Sequence, residues 1–293
     1  MMPKMNPGRR RLPILNNFKP ATVLLCALLG FVTACATSPT GRRQLMLISE
    51  DEAIAASEQQ YLATMSELSS EGKLVTDPKI VNRIDTITGR LIAQAIEMRP
   101  ATKDWKWSVE IIDDPETVNA WCMAGGRMAI YTGLIQKIDP TDDELAQVMG
   151  HEISHALANH TAERMSVAMA TKIGVLAAGV ASDRPGVTMA GAAGAAALAI
   201  TLPNSRTSES EADRIGIELA AKAGYDPRAA ATLWQKMGEV GGNGPPQFLS
   251  THPAPENRQT TLKALESQML PYYEAPGPRP VYKLQALELP AKQ

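Results

Sequence analysis

Apolar positions recur along the chain with two periods, and capping residues mark where each period starts. Ser49-Glu50-Asp51-Glu52 is a capping box, in which Ser and Glu each satisfy the other's backbone N–H, and it predicts a helix to about Leu68. Asp77-Pro78 opens a second helix, with Asp as N-cap and Pro at the first helical position. Ile80, Ile84, Ile87 and Leu91 form its buried stripe, and Pro100 stops it. The period then falls to two. Trp105, Trp107, Val109 and Ile111 alternate with Lys106, Ser108 and Glu110, which predicts a half-buried strand. Asp113-Asp114-Pro115 turns the chain, and Val118–Met123 and Arg127–Tyr131 read as two more strands around Gly125-Gly126. Thr141-Asp142-Asp143-Glu144, a second capping box, launches a helix through Leu145, Val148 and Met149 to about Asn159. Ser208 or Thr207 caps a helix from Glu209 to Ala223, Gly224 ends it, and Asp226-Pro227 begins the next. Residues 241–258 read as a Gly/Pro-rich loop. The fold class these elements predict is α+β, mainly helical, with a small β-sheet beside the helix that follows Thr141.

Two stretches depart from this pattern. The first 34 residues carry Lys4, Arg9, Arg10, Arg11 and Lys19 with no acidic residue, then an almost wholly apolar run from Ala21 to Ala34. That run is too short for a permanent membrane helix and has the shape of a secretory signal. Val32-Thr33-Ala34 before Cys35 resembles a lipobox, which makes Cys35 the expected lipidation site. Cys26 suits that role less, because bulky Leu24 and Leu25 precede it. An ordinary signal cleaved nearby, or an uncleaved anchor, is the alternative. The second stretch, residues 165–202, is rich in Ala, Gly, Val and Met and is broken by Asp183-Arg184-Pro185-Gly186. It reads first as two core helices joined by a turn. Its glycines also suit a mobile hairpin over the site or one that touches lipid.

Charge and cysteines narrow the function. Without the leader, 24 basic residues face 31 acidic ones, a net charge of about −7, and there is no basic tract. Nucleic acid is therefore a poor partner. With Cys26 removed and Cys35 lipidated only Cys122 remains, so no intramolecular disulfide is expected.

The candidate chemistry lies in His151-Glu152-Ile153-Ser154-His155, inside the helix capped by Thr141. A spacing of four puts His151 and His155 on one face, one turn apart, where both imidazoles can close on a single Zn2+. Glu152 follows the first histidine and can take a proton from the attacking water, then pass it to the leaving amine. His160 is nine residues after His151 and no glycine turns the chain between them as the HEXXHXXGXXH pattern requires, so it reads as a helix-end, outer-sphere or surface residue. The better third ligand is Glu209. It shares a helix face with Asp213, four residues on, whereas Glu211 points away by roughly 200° at 3.6 residues per turn. Asp213 can accept the second N–H of a ligating histidine. Without the histidine pair, these acids would be read only as a favourable helix start. His252, in a loop, and Arg258, six residues on, can stabilise an oxyanion, or His252 can fill the open zinc position and hold the site latent.

Taken together, His151–His155 with His160, Glu209-Ser-Glu-Ala-Asp213-Arg-Ile-Gly216, and His252-Pro253 with Arg258 resemble the gluzincin endopeptidases of the HtpX and CAAX-prenyl-protease family. Asn119-Ala120, Gly125-Gly126 and Tyr131-Thr132-Gly133 are similar to that family's strand region, and the likeness covers roughly residues 45–270. Ala124 departs from it, since relatives usually have proline before the Gly-Gly pair. The resemblance implies a zincin-type metalloprotease domain with His151, His155 and Glu209 as zinc ligands and Glu152 as general base. It implies Asp213 as the orienting partner, His252 as a transition-state or latent-state residue, and Arg258 as its partner. The strand from Asn119 to Met123 is then the edge to which substrate pairs. The lipoprotein-type leader points to the periplasmic branch, whose members serve outer-membrane protein quality control, some with a C-terminal repeat domain for which this chain ends too soon.

The expected organisation is a signal peptide with lipobox over 1–34, a tether over 35–48, a zinc metallopeptidase domain over 49–270 and an extended tail over 271–293. The expected function is a zinc metalloendopeptidase, one Zn2+ per chain, held to the periplasmic side of a membrane through Cys35. Ala36, in place of an acidic residue, favours the outer membrane. Its substrates are misfolded or stalled envelope proteins, and outer-membrane assembly machinery is an expected partner. The alternatives are an envelope chaperone or assembly factor with a latent zinc site, and a zinc hydrolase of non-peptide substrates.

Overall fold

The elements begin earlier than the domain boundary expected at residue 49. In the computed structural model, which describes residues 35–181, 205–240, 246–252 and 257–289, the stretch expected to be a tether is a packed hairpin. Strands β1 (Cys35–Thr37) and β2 (Arg43–Leu45) pair antiparallel, and Ser38 and Gln44 are buried. A turn closes the hairpin, with Ser38 donating its N–H to the Arg42 carbonyl at 2.8 Å and Gly41 at a φ of 88°. The leader, Asp183-Arg184-Pro185-Gly186 and Pro253 lie outside the described residues.

Helix α1 (Glu50–Ser70) starts at the expected capping box: Ser49 Oγ accepts the Glu52 N–H at 3.2 Å, and the Glu52 carboxylate accepts the Ser49 N–H at 2.8 Å. Helix α2 (Pro78–Met98) follows its Asp77 cap, and a 3-10 turn over Pro100–Asp104 leads into the sheet. Strand β3 (Ser108–Ile112) is shorter than its alternation suggested, because Trp105 and Trp107 are used before it. Trp107 turns its indole N–H back onto the Thr102 carbonyl at 2.8 Å. The sheet order is β3-β5-β4: β5 (Arg127–Tyr131) lies parallel to β3 and antiparallel to β4 (Ala120–Cys122), so β4 is an edge.

The face of β3 expected to meet solvent is covered. Tyr61 and Met65 of α1 pack on Ile112 and Ala129. Ser108, on the same face, is buried because the Arg127 guanidinium donates to its Oγ at 3.0 Å. The other face carries Trp107, Ile111 and Met128 into the main core, shared with α2 and with the helices that follow β5.

Those helices are α3 (Thr132–Ile138), α4 (Asp142–Leu157), α5 (His160–Ala181), α6 (Arg206–Lys222), α7 (Ala229–Glu239), α8 (Gln247–Thr251) and α9 (Arg258–Glu274). Every residue of α4 from Glu144 to Leu157 is buried, the mark of a helix enclosed on all sides. Helix α6 starts three residues before Glu209 because Ser205, not Ser208 or Thr207, supplies the cap, its Oγ accepting the Ser208 N–H at 3.1 Å. The loop expected over 241–258 contains α8. The last helix runs through Pro271, forgoing one backbone bond, so the extended tail begins after Glu274. The tail is tied down: Tyr282 donates to Gly89 and Gln285 to Trp107, both at 2.9 Å. Among the described residues no helix is long and apolar enough to cross a membrane.

Glu110 lies on the partly covered face of β3. Burial, reinforced by the neighbouring charge of Asp85, raises its pKa from 4.5 to about 7. The folded chain therefore holds a proton that the unfolded chain releases above its own lower pKa. Stability from this group is full below about pH 4.5 and is lost as the pH rises through about 7. Glu110→Gln should stabilise the fold at pH 8 more than at pH 5, by a difference on the order of 1 kcal/mol in unfolding free energy once solvent screening of the half-buried carboxylate is allowed for, read from thermal unfolding at the two pH values. Equal shifts at the two pH values would contradict this.

Candidate metal centre

The centre forms where α4 crosses α6. Gly150 and Gly216 make the crossing close: a Cβ on Gly150 would sit 2.9 Å from the Gly216 carbonyl oxygen, and one on Gly216 would sit 2.8 Å from the His151 nitrogen. With no side chain between the two backbones, the i,i+4 pair His151 and His155 faces the i,i+4 pair Glu209 and Asp213.

Four side chains converge. His151 Nε2 lies 3.1 Å from His155 Nε2 and 3.3 Å from His252 Nδ1. Glu209 completes the group, with Oε1 at 3.1 Å from His252 Nδ1 and 3.4 Å from His155 Nε2, and Oε2 at 3.3 Å from His151 Nε2. All four residues are buried, and their ligand atoms lie within 4.8 Å of one another. The edges of a zinc tetrahedron with Zn–N near 2.0–2.1 Å are about 3.3–3.4 Å. The separations at this centre are of that size.

Hydrogen bonds behind the rings aim lone pairs inward. The Asp213 carboxylate lies 2.9 Å from His151 Nδ1, which fixes the proton there and leaves Nε2 as a lone pair. His155 Nδ1 lies 2.7 Å from His160 Nδ1, so a proton lies between them. Glu209 Oε2 and Glu152 Oε1 are buried with no hydrogen-bond partner. Imidazole nitrogens and a carboxylate that converge this closely in a buried place are stabilised by a cation among them. The donor set of imidazole and carboxylate suits zinc, so the residues fit that ion.

Burial works against a charged His151, yet the carboxylates of Asp213 and Glu209 outweigh it and lift its pKa to about 9, so an ion at this centre competes with a proton for Nε2. Burial would raise Glu209 as well, but the neighbouring His151 and His252 hold it below the usual carboxylate range. Glu152 is pushed up, chiefly by burial.

Every expected site residue except Cys35 meets here. His252 caps the end of α8, stacked on Phe248 with ring centroids 4.5 Å apart, and its Nε2 lies 3.5 Å from Glu152 Oε1. Arg258 opens α9 and donates to Asp213 Oδ1 at 2.6 Å, with its guanidinium 3.3 Å from the centre of the Trp234 ring. Its charge thus faces the aspartate behind His151. Cys35 begins β1 and belongs to the hairpin instead.

Sequence reasoning gave three residues too little weight. His160 is buried against His155 because Asn159 takes the left-handed conformation, φ 55°, and folds α5 back beside α4. Asparagine tolerates that conformation, a signal the sequence did contain. Glu211 does point away from Glu209, as its spacing required, but into a second buried polar cluster. Arg42 belongs to that cluster and had no local sequence signal.

A model of peptidase family M48 matches residues 78–266. The chain is 32% identical over 275 residues to the mitochondrial metalloendopeptidase OMA1 of Bos taurus, covering 87% of this chain and 52% of that protein. It is 31% identical over 217 residues to the beta-barrel assembly-enhancing protease of Yersinia pestis, covering 70% of this chain and 43% of that protein. It is 38% identical over 178 residues to the mitochondrial metalloendopeptidase OMA1 of Arabidopsis thaliana, covering 59% and 35%. The chain thus spans between about a third and a half of the length of these relatives.

The glycine contact gives a direct test. Gly216→Val should separate α4 from α6, cost about 1–3 kcal/mol by overpacking and weaken zinc binding. Thermal unfolding with and without zinc measures both. A variant that keeps wild-type zinc affinity would show that the contact does not set the site.

Proposed function

The chain belongs to peptidase family M48 and is a zinc metallopeptidase, and on that basis we propose that it is an envelope endopeptidase that cuts misfolded or stalled proteins. The observation that carries the reading is the convergence of His151, His155, Glu209 and His252 beside Glu152. The name of the Yersinia pestis relative supports a role beside outer-membrane assembly, with assembly machinery as a partner. The basic leader, its apolar run and Cys35 support export and a lipid anchor on the periplasmic face of the outer membrane. The mitochondrial relatives share the protease domain and not that address.

In this reading His151, His155 and Glu209 hold the ion. Bound zinc supplies Lewis acidity that polarises the scissile carbonyl and favours deprotonation of water. The Glu152 carboxylate takes the proton from the attacking water and delivers it to the leaving amine, and burial, by pushing its pKa up, makes it a stronger base than an exposed carboxylate. Asp213 holds the proton on His151 Nδ1, and Arg258, stacked on Trp234, holds Asp213. The edge strand β4 pairs with an extended substrate, giving sequence-tolerant binding through main-chain hydrogen bonds. That tolerance suits unfolded substrates. His252 would stand as a fourth ligand at rest and hold the site latent, a reading that its Nδ1 among the ligand atoms supports.

Two substitutions test these roles. Glu152→Gln should retain stoichiometric zinc and lower cleavage of an unfolded protein by about 10²–10⁴-fold; unchanged cleavage by purified variant would sink the mechanism. Full rescue of an envelope defect by the same variant would favour a chaperone function instead. His252→Ala should keep zinc and cleave several-fold faster than wild type. Loss of cleavage would place His252 in the transition state and remove the latency.

A further inference from the structure

The polar cluster behind His155 joins the N-terminal hairpin to Glu211, His160 and Glu163. Glu211 Oε1 accepts hydrogen bonds from Ser38 Oγ and Thr40 Oγ1, both in the turn between β1 and β2. Its Oε2 accepts from Arg42 Nε at 2.6 Å and from His160 Nε2 at 3.2 Å. The other edge of the Arg42 guanidinium forks onto Glu163, at 2.7 and 2.6 Å. Gln44 donates to Glu163 and to the Ala158 carbonyl, at 2.8 and 2.7 Å, and so holds β2 against the end of α4.

This arrangement dictates a proton direction. A carboxylate can only accept, so Glu211 requires an N–H on His160 Nε2. With its single proton on Nε2, His160 offers a lone pair at Nδ1, and the proton in the 2.7 Å contact with His155 then comes from His155 Nδ1. That leaves His155 Nε2 as the lone pair facing the metal centre. His151 receives the same instruction from Asp213 directly. His155 receives it from a carboxylate two hydrogen bonds away, and that carboxylate is placed by Ser38, Thr40 and Arg42.

We propose that the N-terminal hairpin is part of the zinc site's support: Arg42, Glu211 and His160 are positioning residues that fix the tautomer of His155, so docking of the hairpin sets zinc affinity. The hairpin begins at Cys35, so a displacement of β1 and β2 reaches a zinc ligand through three side chains. The proposal rests on the zinc reading of the centre.

The test uses the full chain and reads zinc affinity by competition with a chromophoric chelator, alongside the melting temperature of the chelator-stripped protein. Glu211→Leu should weaken zinc binding by about 10- to 100-fold, the usual range for an outer-sphere partner. Glu211→Gln, whose amide oxygen still accepts the His160 N–H, should lose less than Glu211→Leu. Arg42→Ala, which leaves every side chain of the centre in place, should weaken binding several-fold, with Arg42→Lys recovering part of the loss. Should Glu211→Leu fail to fold, the Gln and Arg42 variants decide. A hairpin that merely adds stability predicts lower melting temperatures with zinc affinity within twofold of wild type, and that result would overturn the proposal. Wild-type protein that does not bind zinc stoichiometrically would instead remove the reading beneath it.

Discussion

A contact of backbone on backbone, Gly150 against Gly216, fixes how far α4 stands from α6. Each helix carries its chemistry as an i,i+4 pair, and neither pair alone makes a site. Two histidines on one helix leave a metal half-ligated, and two carboxylates on one helix repel. At the separation the glycines allow, the inward atoms come within 3.1–3.4 Å and the two deficits cancel. The rest of the fold serves this crossing. The core encloses α4 completely, and the sheet brings the edge strand β4 alongside it.

Enclosure has an electrostatic consequence. Glu152, Glu209, Asp213 and Glu211 are all buried, and buried carboxylates must be paired or they destabilise the fold. The chain gives two of them an arginine each. Arg258 meets Asp213 on one side of the centre, and Arg42 meets Glu211 on the other. Each arginine neutralises a carboxylate that orients a histidine, so fixing the charge and fixing the tautomer are one act. Glu209 and Glu152 keep orphaned oxygens at the centre itself.

Much of the site could be read without coordinates because its logic is helical. The four-residue spacings of His151 with His155 and of Glu209 with Asp213 define faces whatever the tertiary structure. The α+β class, with a small sheet beside the histidine helix, was legible for the same reason. What escaped was set by contacts remote in sequence. Arg42 meets a carboxylate 169 residues away, so Pro39 and Gly41 read as a tether when they close a hairpin. Ser108 alternates like a solvent-facing residue, and only Arg127 and α1 make its burial acceptable. The direction of His160 depended on a left-handed Asn159, a one-residue event that periodicity cannot register. Ser205, Thr207 and Ser208 are all competent caps, and packing chose the first.

Zinc K-edge X-ray absorption on the full chain counts the ligands themselves. Zinc held by His151, His155 and Glu209, with His252 as the fourth ligand at rest, should give one zinc per chain in a four-coordinate shell of nitrogen and oxygen at about 2.0–2.1 Å, with multiple scattering from three imidazoles that falls to two in His252→Ala. A sulfur shell near 2.3 Å, or an imidazole count that His151→Ala does not change, would contradict that ligand set.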